Sequence, residues 1–294
     1  MERSSSGGLA KLFADLACHE PGMPILDVSG LGVRLDGRPA LEDISFRLSG
    51  GERVAVVGPN GAGKSTLFKV IAGVLRPDEG EVSVFGHGPE RHICIAYLPQ
   101  SSQVDWSFPV SVADVVMMGR VGKLGPLRRP RAADRERVRR CLEAVGLADL
   151  AGRQFGELSG GQRQRMFIAR ALAQEAELMI MDEPLAGLDF SAREEIFGIL
   201  EELHRFEVTV MVAMHDLGAA AEHFDRVMLL NRRMLGIGSP ADVFTEERLR
   251  RAYGSHVQLI RTKEGLMVIA DTCCRGGEGE TGGSGGASGA RGDG

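Results

Sequence analysis

The chain has 294 residues, of which 43% are hydrophobic, and a formal net charge of −5 at pH 7. This balance predicts a soluble globular protein with room for one large or two modest domains, and it gives no sign of a nucleic-acid partner. No apolar run approaches the length of a membrane span, and no apolar signal region follows the first residues, so we expect a cytoplasmic protein.

The cysteines do not indicate a disulfide framework. They are odd in number and scattered, at Cys18, Cys94, Cys141, Cys273 and Cys274. The adjacent Cys273 and Cys274 could bind a metal or sense redox state, but no His or Cys lies nearby at ligand spacing. We therefore expect no metal site there.

Up to about residue 98, the pattern predicts strands around one helix. Residues 1–23 are expected to be a flexible lead-in, to which no role is assigned. Apolar, strand-like segments lie at residues 25–28, 33–35 and 41–48, with a turn at Asp36-Gly37. A valine-rich strand at 54–57 precedes a glycine-rich loop and a helix that ends at Gly73. Two more strands are predicted at residues 80–85 and 93–98.

Residues 101–173 change character and are predicted to form a mostly helical insert. Ser111 can cap the first of its helices. The arginine-rich stretch at 128–140 could contact nucleic acid or lipid headgroups. A solvated helix face is the favoured interpretation, because Glu136 lies four residues before Arg140 and an apolar stripe occupies the other side. That stripe comprises Val138, Cys141, Leu142 and Val145.

From residue 178 onward, strands and helices alternate, which predicts a mainly parallel α/β core within a domain at 24–254. The predicted strands lie at 178–181, 208–213 and 227–230, and the predicted helices at 192–206, 217–224 and 241–253. A small β element at 257–269 belongs to an extension at 255–275. The Gly-rich tail at 276–294 cannot bury a core and is expected to be disordered.

The chain is organised around a phosphate-binding loop of the form G-x-x-x-x-G-K-S, set between a buried strand and a helix. Glycines let the backbone approach a polyphosphate, and the amide groups at the helix start face the anion. Lys64 is predicted to reach the β- and γ-phosphates, and Ser65 to offer its hydroxyl to Mg²⁺. The loop and helix start comprise Gly58, Pro59, Asn60, Gly61, Ala62, Gly63, Lys64, Ser65 and Thr66.

Two carboxylates end the buried strand at 178–181. In a parallel sheet this strand end lies beside the phosphate loop, so Asp182 is predicted to hold Mg²⁺ directly or through water. Glu183 follows at once and could polarise the attacking water.

A second anion site is predicted at Leu158-Ser159-Gly160-Gly161-Gln162. Ser159 can cap the following helix, and Gln162 completes a capping box. The two glycines expose backbone amides at the helix start. One chain therefore carries two phosphate-facing helix ends.

Taken together, these motifs resemble the ATP-binding-cassette (ABC) ATPases, and the resemblance runs from about residue 25 to 253. Residues 58–66 match the Walker A motif, 158–162 the family signature and 178–183 Walker B with its glutamate. Gln100 matches the Q-loop, residues 186–189 the D-loop, and His215 the switch histidine.

The resemblance implies a P-loop NTPase fold, with a mainly parallel α/β core, an antiparallel β subdomain and a helical insert. It implies ATP and Mg²⁺ as cofactors. It further implies that two copies pair head to tail, each ATP lying between Walker A of one copy and the signature of the other. This agrees with the two anion sites, because one chain cannot close both of them on one nucleotide.

The family's residue roles carry over to matching positions. Ser159 and Gly161, with Gly160 and Gln162 of the same motif, would contact the γ-phosphate across the dimer. His215 would contact it within one chain, and Gln100 would sense Mg²⁺ and the water. The D-loop ends at Asp189, which would join the nucleotide site.

One position departs from the family pattern. An aromatic residue usually stacks on adenine shortly before the first β-turn, and here that position is Leu35. We therefore expect weaker discrimination between nucleotide bases.

The segment at 104–120, which begins Val104-Asp105-Trp106-Ser107-Phe108-Pro109, is similar to cassettes of manganese, zinc or chelated-iron importers. In the family this region contacts the membrane permease, so it indicates lineage and not metal chemistry. The implied partners are a second copy, a permease and, indirectly, a metal-binding solute-binding protein, and the implied location is the inner face of the cell membrane.

A siderophore or cobalamin importer is an open alternative. A non-transport ABC ATPase is disfavoured, because there is no second cassette or coiled-coil insert.

Overall fold

The computed structural model describes residues 24–89, 94–100, 104–124 and 128–254, together with the backbone of two further strands at 257–262 and 265–270. The strands of this part of the chain are β1 (Leu26–Leu35), β2 (Arg38–Leu48), β3 (Arg53–Val57), β4 (Glu79–Val84), β5 (Ile95–Leu98), β6 (Leu178–Asp182), β7 (Thr209–Met214), β8 (Arg226–Asn231), β9 (Arg233–Gly238), β10 (Val257–Thr262) and β11 (Gly265–Ala270). The helices are α1 (Lys64–Ile71), α2 (Val112–Met118), α3 (Val121–Leu124), α4 (Ala132–Ala144), α5 (Gly160–Gln174), α6 (Phe190–Arg205), α7 (Leu217–His223), α8 (Pro240–Val243) and α9 (Glu246–Tyr253).

A six-stranded sheet in the order β5-β6-β7-β3-β8-β9 forms the centre of the fold. Its strands pair in parallel except at the β8–β9 edge. Alternate residues of the central strands face two separate cores: Val54 and Val56 face one, and Ala55 and Val57 the other. Because both faces are covered, these strands are nearly continuous apolar runs, as is typical of parallel sheets.

A three-stranded antiparallel sheet in the order β2-β1-β4 packs with α1 over one of these cores. Its first hairpin turns at Asp36 (φ 50°) and Gly37 (φ 74°), and these two positive φ values match the right-handed twist of the flanking strands. The predicted turn and the predicted antiparallel β subdomain are both present.

Helices α2 to α5 form the predicted helical region over the other core. Ser111 caps α2, and its side chain exchanges hydrogen bonds with Asp114 in a capping box. The arginine-rich helix α4 buries Val138, Cys141 and Leu142. On its exposed face, Glu136 pairs with Arg139 and Arg140, as expected of a solvated helix face.

An ion-pair cluster ties this helical region to the end of α5. Arg120 donates hydrogen bonds to Asp134 Oδ1 (3.2 Å), to Glu175 Oε1 (2.9 Å) and to the Ala173 carbonyl (2.9 Å). Lys123 also pairs with Glu175. Since these groups are mostly shielded from water, they fix α3 and α4 relative to α5 more firmly than surface pairs would.

The C-terminal part of the core departs from the sequence prediction in two places. Strand β9 was not predicted; it pairs antiparallel with β8 after a turn at Arg232, whose φ is 56°. The helix predicted at 241–253 is two helices, because the Thr245 side chain accepts from Arg248 N and starts α9 afresh. The small β element is the hairpin β10–β11.

The predictions for the lead-in and for the Gly-rich tail lie outside the described residues. In the described ranges, none of the helices combines the length and the apolarity needed to cross a membrane.

Candidate nucleotide site

The phosphate loop joins β3 to α1 at the centre of the sheet, and close backbone approach makes two of its glycines necessary. A Cβ on Gly58 would lie 2.0 Å from the Leu230 carbonyl oxygen of neighbouring β8. Gly63 caps α1 with a φ of 96°, and a Cβ there would lie 2.7 Å from the Ala40 carbonyl oxygen. The loop therefore curls as predicted and presents its amides at the start of α1.

Lys64 is the buried cation of this loop. Its Nζ donates to the carbonyl oxygens of Gly58 (2.8 Å) and Pro59 (3.2 Å), which hold it over the loop. Burial lowers the pKa of Lys64, while the charges of Glu183 and Asp182 act in the opposite direction. Asn60 and Gly61 at the tip are exposed, whereas Ala62 is buried and Ser65 and Thr66 are half-buried.

Asp182 is the last residue of β6, and its carboxylate is buried. Within the described part of the chain, neither of its two oxygens has a hydrogen-bond partner of normal geometry. Burial raises the pKa of Asp182, and the Ser65 hydroxyl and the Lys64 charge lower it. A buried carboxylate is costly unless it is compensated, so these oxygens beside a hydroxyl suit a hard divalent cation.

Glu183 lies between two polar side chains from other strand ends. Its Oε2 accepts a hydrogen bond from Gln100 Nε2 (3.1 Å), and its Oε1 lies 2.5 Å from His215 Nε2. Glu183 takes a φ of 53°, a left-handed conformation that is uncommon outside glycine and that turns the chain away from β6. Three of the predicted site residues, Gln100, Glu183 and His215, are thus brought into contact, with His215 open to solvent.

The signature segment starts α5 as predicted. The Ser159 hydroxyl accepts from Gln162 N (3.3 Å), and Gln162 Oε1 accepts from Ser159 N (3.0 Å), which completes the capping box. A Cβ on Gly160 would lie 3.1 Å from Leu188 Cδ2, and one on Gly161 would lie 2.8 Å from Ala192 Cβ.

Asp189, predicted to join the nucleotide site, caps α6 by accepting from Ala192 N (2.8 Å). The signature glycines Gly160 and Gly161 pack next to Leu188 and Ala192, so the starts of α5 and α6 lie side by side.

Trp106 links the segment that follows the Q-loop to the signature helix, a contact that sequence reasoning missed. The Arg163 guanidinium lies 4.1 Å from the centre of the Trp106 ring, and Arg163 Nη2 donates to the Gly156 carbonyl (2.7 Å). The ring also packs on Phe155 (5.3 Å) and Phe167 (6.0 Å). Arg163 directly follows Gln162, which is the only signal that the sequence offered.

Two further sequence-derived positions lie on the surface. Leu35 is 44% exposed at the end of β1, so its side chain is available to a ligand. Phe108 is 59% exposed, beside the anchored Trp106. In the part of the chain that the structure describes, there is no group of three or more His, Cys, Asp or Glu able to hold a metal ion.

Comparison with known proteins gives consistent matches. Residues 41–186 match the family model described as ABC transporter. The chain is 42% identical over 239 residues to the manganese transport system ATP-binding protein MntB of Bacillus subtilis, covering 81% of this chain and 96% of that protein. It is 46% identical over 234 residues to the zinc transport system ATP-binding protein TroB of Treponema pallidum, covering 79% and 88%.

A solved structure supports the same fold. A chain from a transporter described as of metal-chelate type, in an inward-facing conformation, superposes with a TM-score of 0.72 at 29% identity. The match covers 84% of this chain and 96% of that chain.

Proposed function

The chain belongs to the ABC transporter family and is one of its ATP-hydrolysing subunits, and from this premise we propose that it powers an importer of a transition-metal cation, namely manganese, zinc or iron. The observation that carries the proposal is the similarity over about four fifths of the chain to subunits named for manganese and zinc transport. The segment around Trp106 and Phe108 supports it, because its exposed aromatic residue suits a contact with a permease.

ATP binding rests on the phosphate loop. The amides at the start of α1 face the phosphates, and the Lys64 ammonium exchanges its carbonyl partners for the β- and γ-phosphate oxygens. Asp182 and Ser65, with Gln100, would hold Mg²⁺, and the unpartnered buried oxygens of Asp182 support this assignment. When bound there, Mg²⁺ supplies charge neutralisation for the phosphates.

Hydrolysis rests on Glu183, which acts as the base that orients and polarises the attacking water. Gln100 and His215 hold its two oxygens, so its carboxylate is fixed before the water arrives. The exposed side of His215 leaves room for the γ-phosphate, which that imidazole would contact.

A second copy completes each site. The helix start formed by Ser159, Gly160, Gly161 and Gln162 packs against the start of α6. In the proposed head-to-tail dimer these residues would cap the ATP of the partner copy. Asp189 caps the start of α6, the helix that packs beside these residues. Closure of this dimer on two ATP molecules and its reopening after hydrolysis would drive a membrane permease.

The remaining partners follow from the same proposal. The subunit would sit on the cytoplasmic face of the membrane, bound to its permease through the Trp106–Phe108 region. A solute-binding protein would select the metal by its own ligand set and geometry. An importer of chelated metal, such as a siderophore or cobalamin system, is the second candidate, favoured by the match to a transporter of metal-chelate type.

The test is ATP hydrolysis by the complex reconstituted in a membrane with each metal-loaded binding protein. A manganese-, zinc- or iron-loaded protein should raise turnover, whereas the free metals should not stimulate the isolated subunit. If only a binding protein loaded with siderophore or cobalamin stimulates the complex, the metal assignment is wrong and the ATPase assignment stands.

A further inference from the structure

Tyr97 lies on the strand next to Asp182 and on the same face of the sheet. Strand β5 pairs in parallel with β6, and Tyr97 stands opposite Ile180. Directly paired residues point to the same face, and so do residues two apart on one strand. Asp182 is therefore the next residue on that face, at a diagonal spacing that a long aromatic side chain can span.

The Tyr97 hydroxyl and both oxygens of Asp182 are buried, and among the residues that the structure describes none of the three has a hydrogen-bond partner of normal geometry. Buried polar groups in native proteins are nearly always paired, since each unpaired one costs free energy. A phenol can donate a hydrogen bond and a carboxylate can accept one. The two groups are thus complementary and adjacent.

The charge environment agrees with a contact between them. The pKa of Tyr97 is raised to about 12, first by burial and then by the negative charge of Asp182 and its interaction with the hydroxyl. The Tyr97 hydroxyl is thus suited to act as a hydrogen-bond donor towards the Asp182 carboxylate.

We propose that Tyr97 is a positioning residue for the nucleotide-bound cation: its hydroxyl donates to one Asp182 oxygen and so directs the other oxygen towards the metal. This inference rests on the proposed Mg²⁺ site at Asp182 and Ser65. Without the phenol, the Asp182 carboxylate loses the donor that we assign to its orientation. Hydrogen bonds to a ligating carboxylate fix its direction, and their loss typically weakens metal binding about 10–100-fold.

The experiment is Tyr97→Phe in the full chain, which deletes the hydroxyl and keeps the ring. Mn²⁺ replaces Mg²⁺ as a paramagnetic probe, and its affinity is measured by electron paramagnetic resonance with a non-hydrolysable ATP analogue present. We expect the Mn²⁺ affinity to fall about tenfold. The analogue's affinity in EDTA should stay within twofold of the wild type.

Tyr253→Phe is the matched control, because the Tyr253 hydroxyl is also buried without a partner and burial alone raises its pKa to about 12. It should leave Mn²⁺ affinity unchanged.

Asp182→Asn tests the underlying site and should lose most Mn²⁺ affinity. If Asp182→Asn weakens Mn²⁺ while Tyr97→Phe matches Tyr253→Phe, the role of Tyr97 is wrong; if Asp182→Asn also binds normally, the metal site itself is wrong. Thermal unfolding of each variant identifies any loss that comes from misfolding.

Discussion

Replacing Trp106 by alanine removes the ring on which Arg163 rests, and so tests how the proposed permease contact would reach the signature helix. Trp106 belongs to the segment with the exposed Phe108, whereas Arg163 directly follows the signature. The remaining anchor of the Arg163 guanidinium is its hydrogen bond to Gly156. We expect the variant to hydrolyse ATP at nearly the basal rate but to respond poorly to the transport complex.

The magnitude follows from the contacts that are lost. A cation–π pair at a half-buried site contributes about 1 kcal/mol, and the packing on Phe155 and Phe167 adds roughly 0.5–1.5 kcal/mol for each ring pair. The ring pairs mainly stabilise the fold. If the Arg163 contact is what transmits the signal, its loss of about 1 kcal/mol lowers stimulated turnover about fivefold.

The assay compares ATP hydrolysis by the isolated subunit with hydrolysis by the reconstituted complex carrying a loaded binding protein. Trp106→Phe keeps an aromatic face and should retain most of the stimulation. Val74→Ala, at a side chain that is 65% exposed and away from this region, is the surface control. Equal losses in basal and stimulated turnover would refute the reasoning, since Trp106 would then serve only folding.

Three other substitutions test the nucleotide site. Glu183→Gln keeps the side-chain shape but removes the base, so ATP should still bind while turnover stops; the trapped ATP-bound dimer is visible by size-exclusion chromatography, and wild-type turnover would remove Glu183 from the mechanism. Lys64→Ala should lose nucleotide binding, measured by calorimetry, because the buried cation for the β- and γ-phosphates is gone; retained affinity would contradict this. Leu35→Tyr should tighten ATP over GTP, since aromatic stacking on a base contributes roughly 1–3 kcal/mol in nucleic-acid complexes. A wild type that already prefers ATP strongly, with no change in the variant, would show that another residue stacks on the base.

Local chemistry explains why the geometry of the glycine-rich loop could be predicted from sequence. Gly58, Gly63 and Lys64 act through backbone conformation and a single charge, and both are set by residue type and spacing. The capping box at Ser159 and Gln162 is likewise a local pattern, and the structure contains it.

Tertiary contacts explain what sequence reasoning missed. Strand β9 begins after Arg232, a non-glycine residue with positive φ, and Asn231 is the turn-forming residue type next to it. The stacking of Trp106 on Arg163 joins segments far apart in the chain, and no spacing rule connects them. The same holds for Tyr97 and Asp182, which meet only because β5 lies beside β6. The role of Leu35 stays a prediction.

The position of β3 in the sheet sets the order in which a growing chain can complete its nucleotide site. Its two neighbours, β7 and β8, arrive much later in the sequence, and the Gly51 amide bonds to the hydroxyl of Thr209, 158 residues further on. The β1–β2 hairpin can form early from local contacts, but the strand that carries the phosphate loop has no sheet partner until most of the chain has left the ribosome. We therefore expect ATP to stabilise the folded protein but not to assist folding of the nascent chain. We also expect chaperones to bind the unpaired edges of β3 until β7 and β8 have been synthesised.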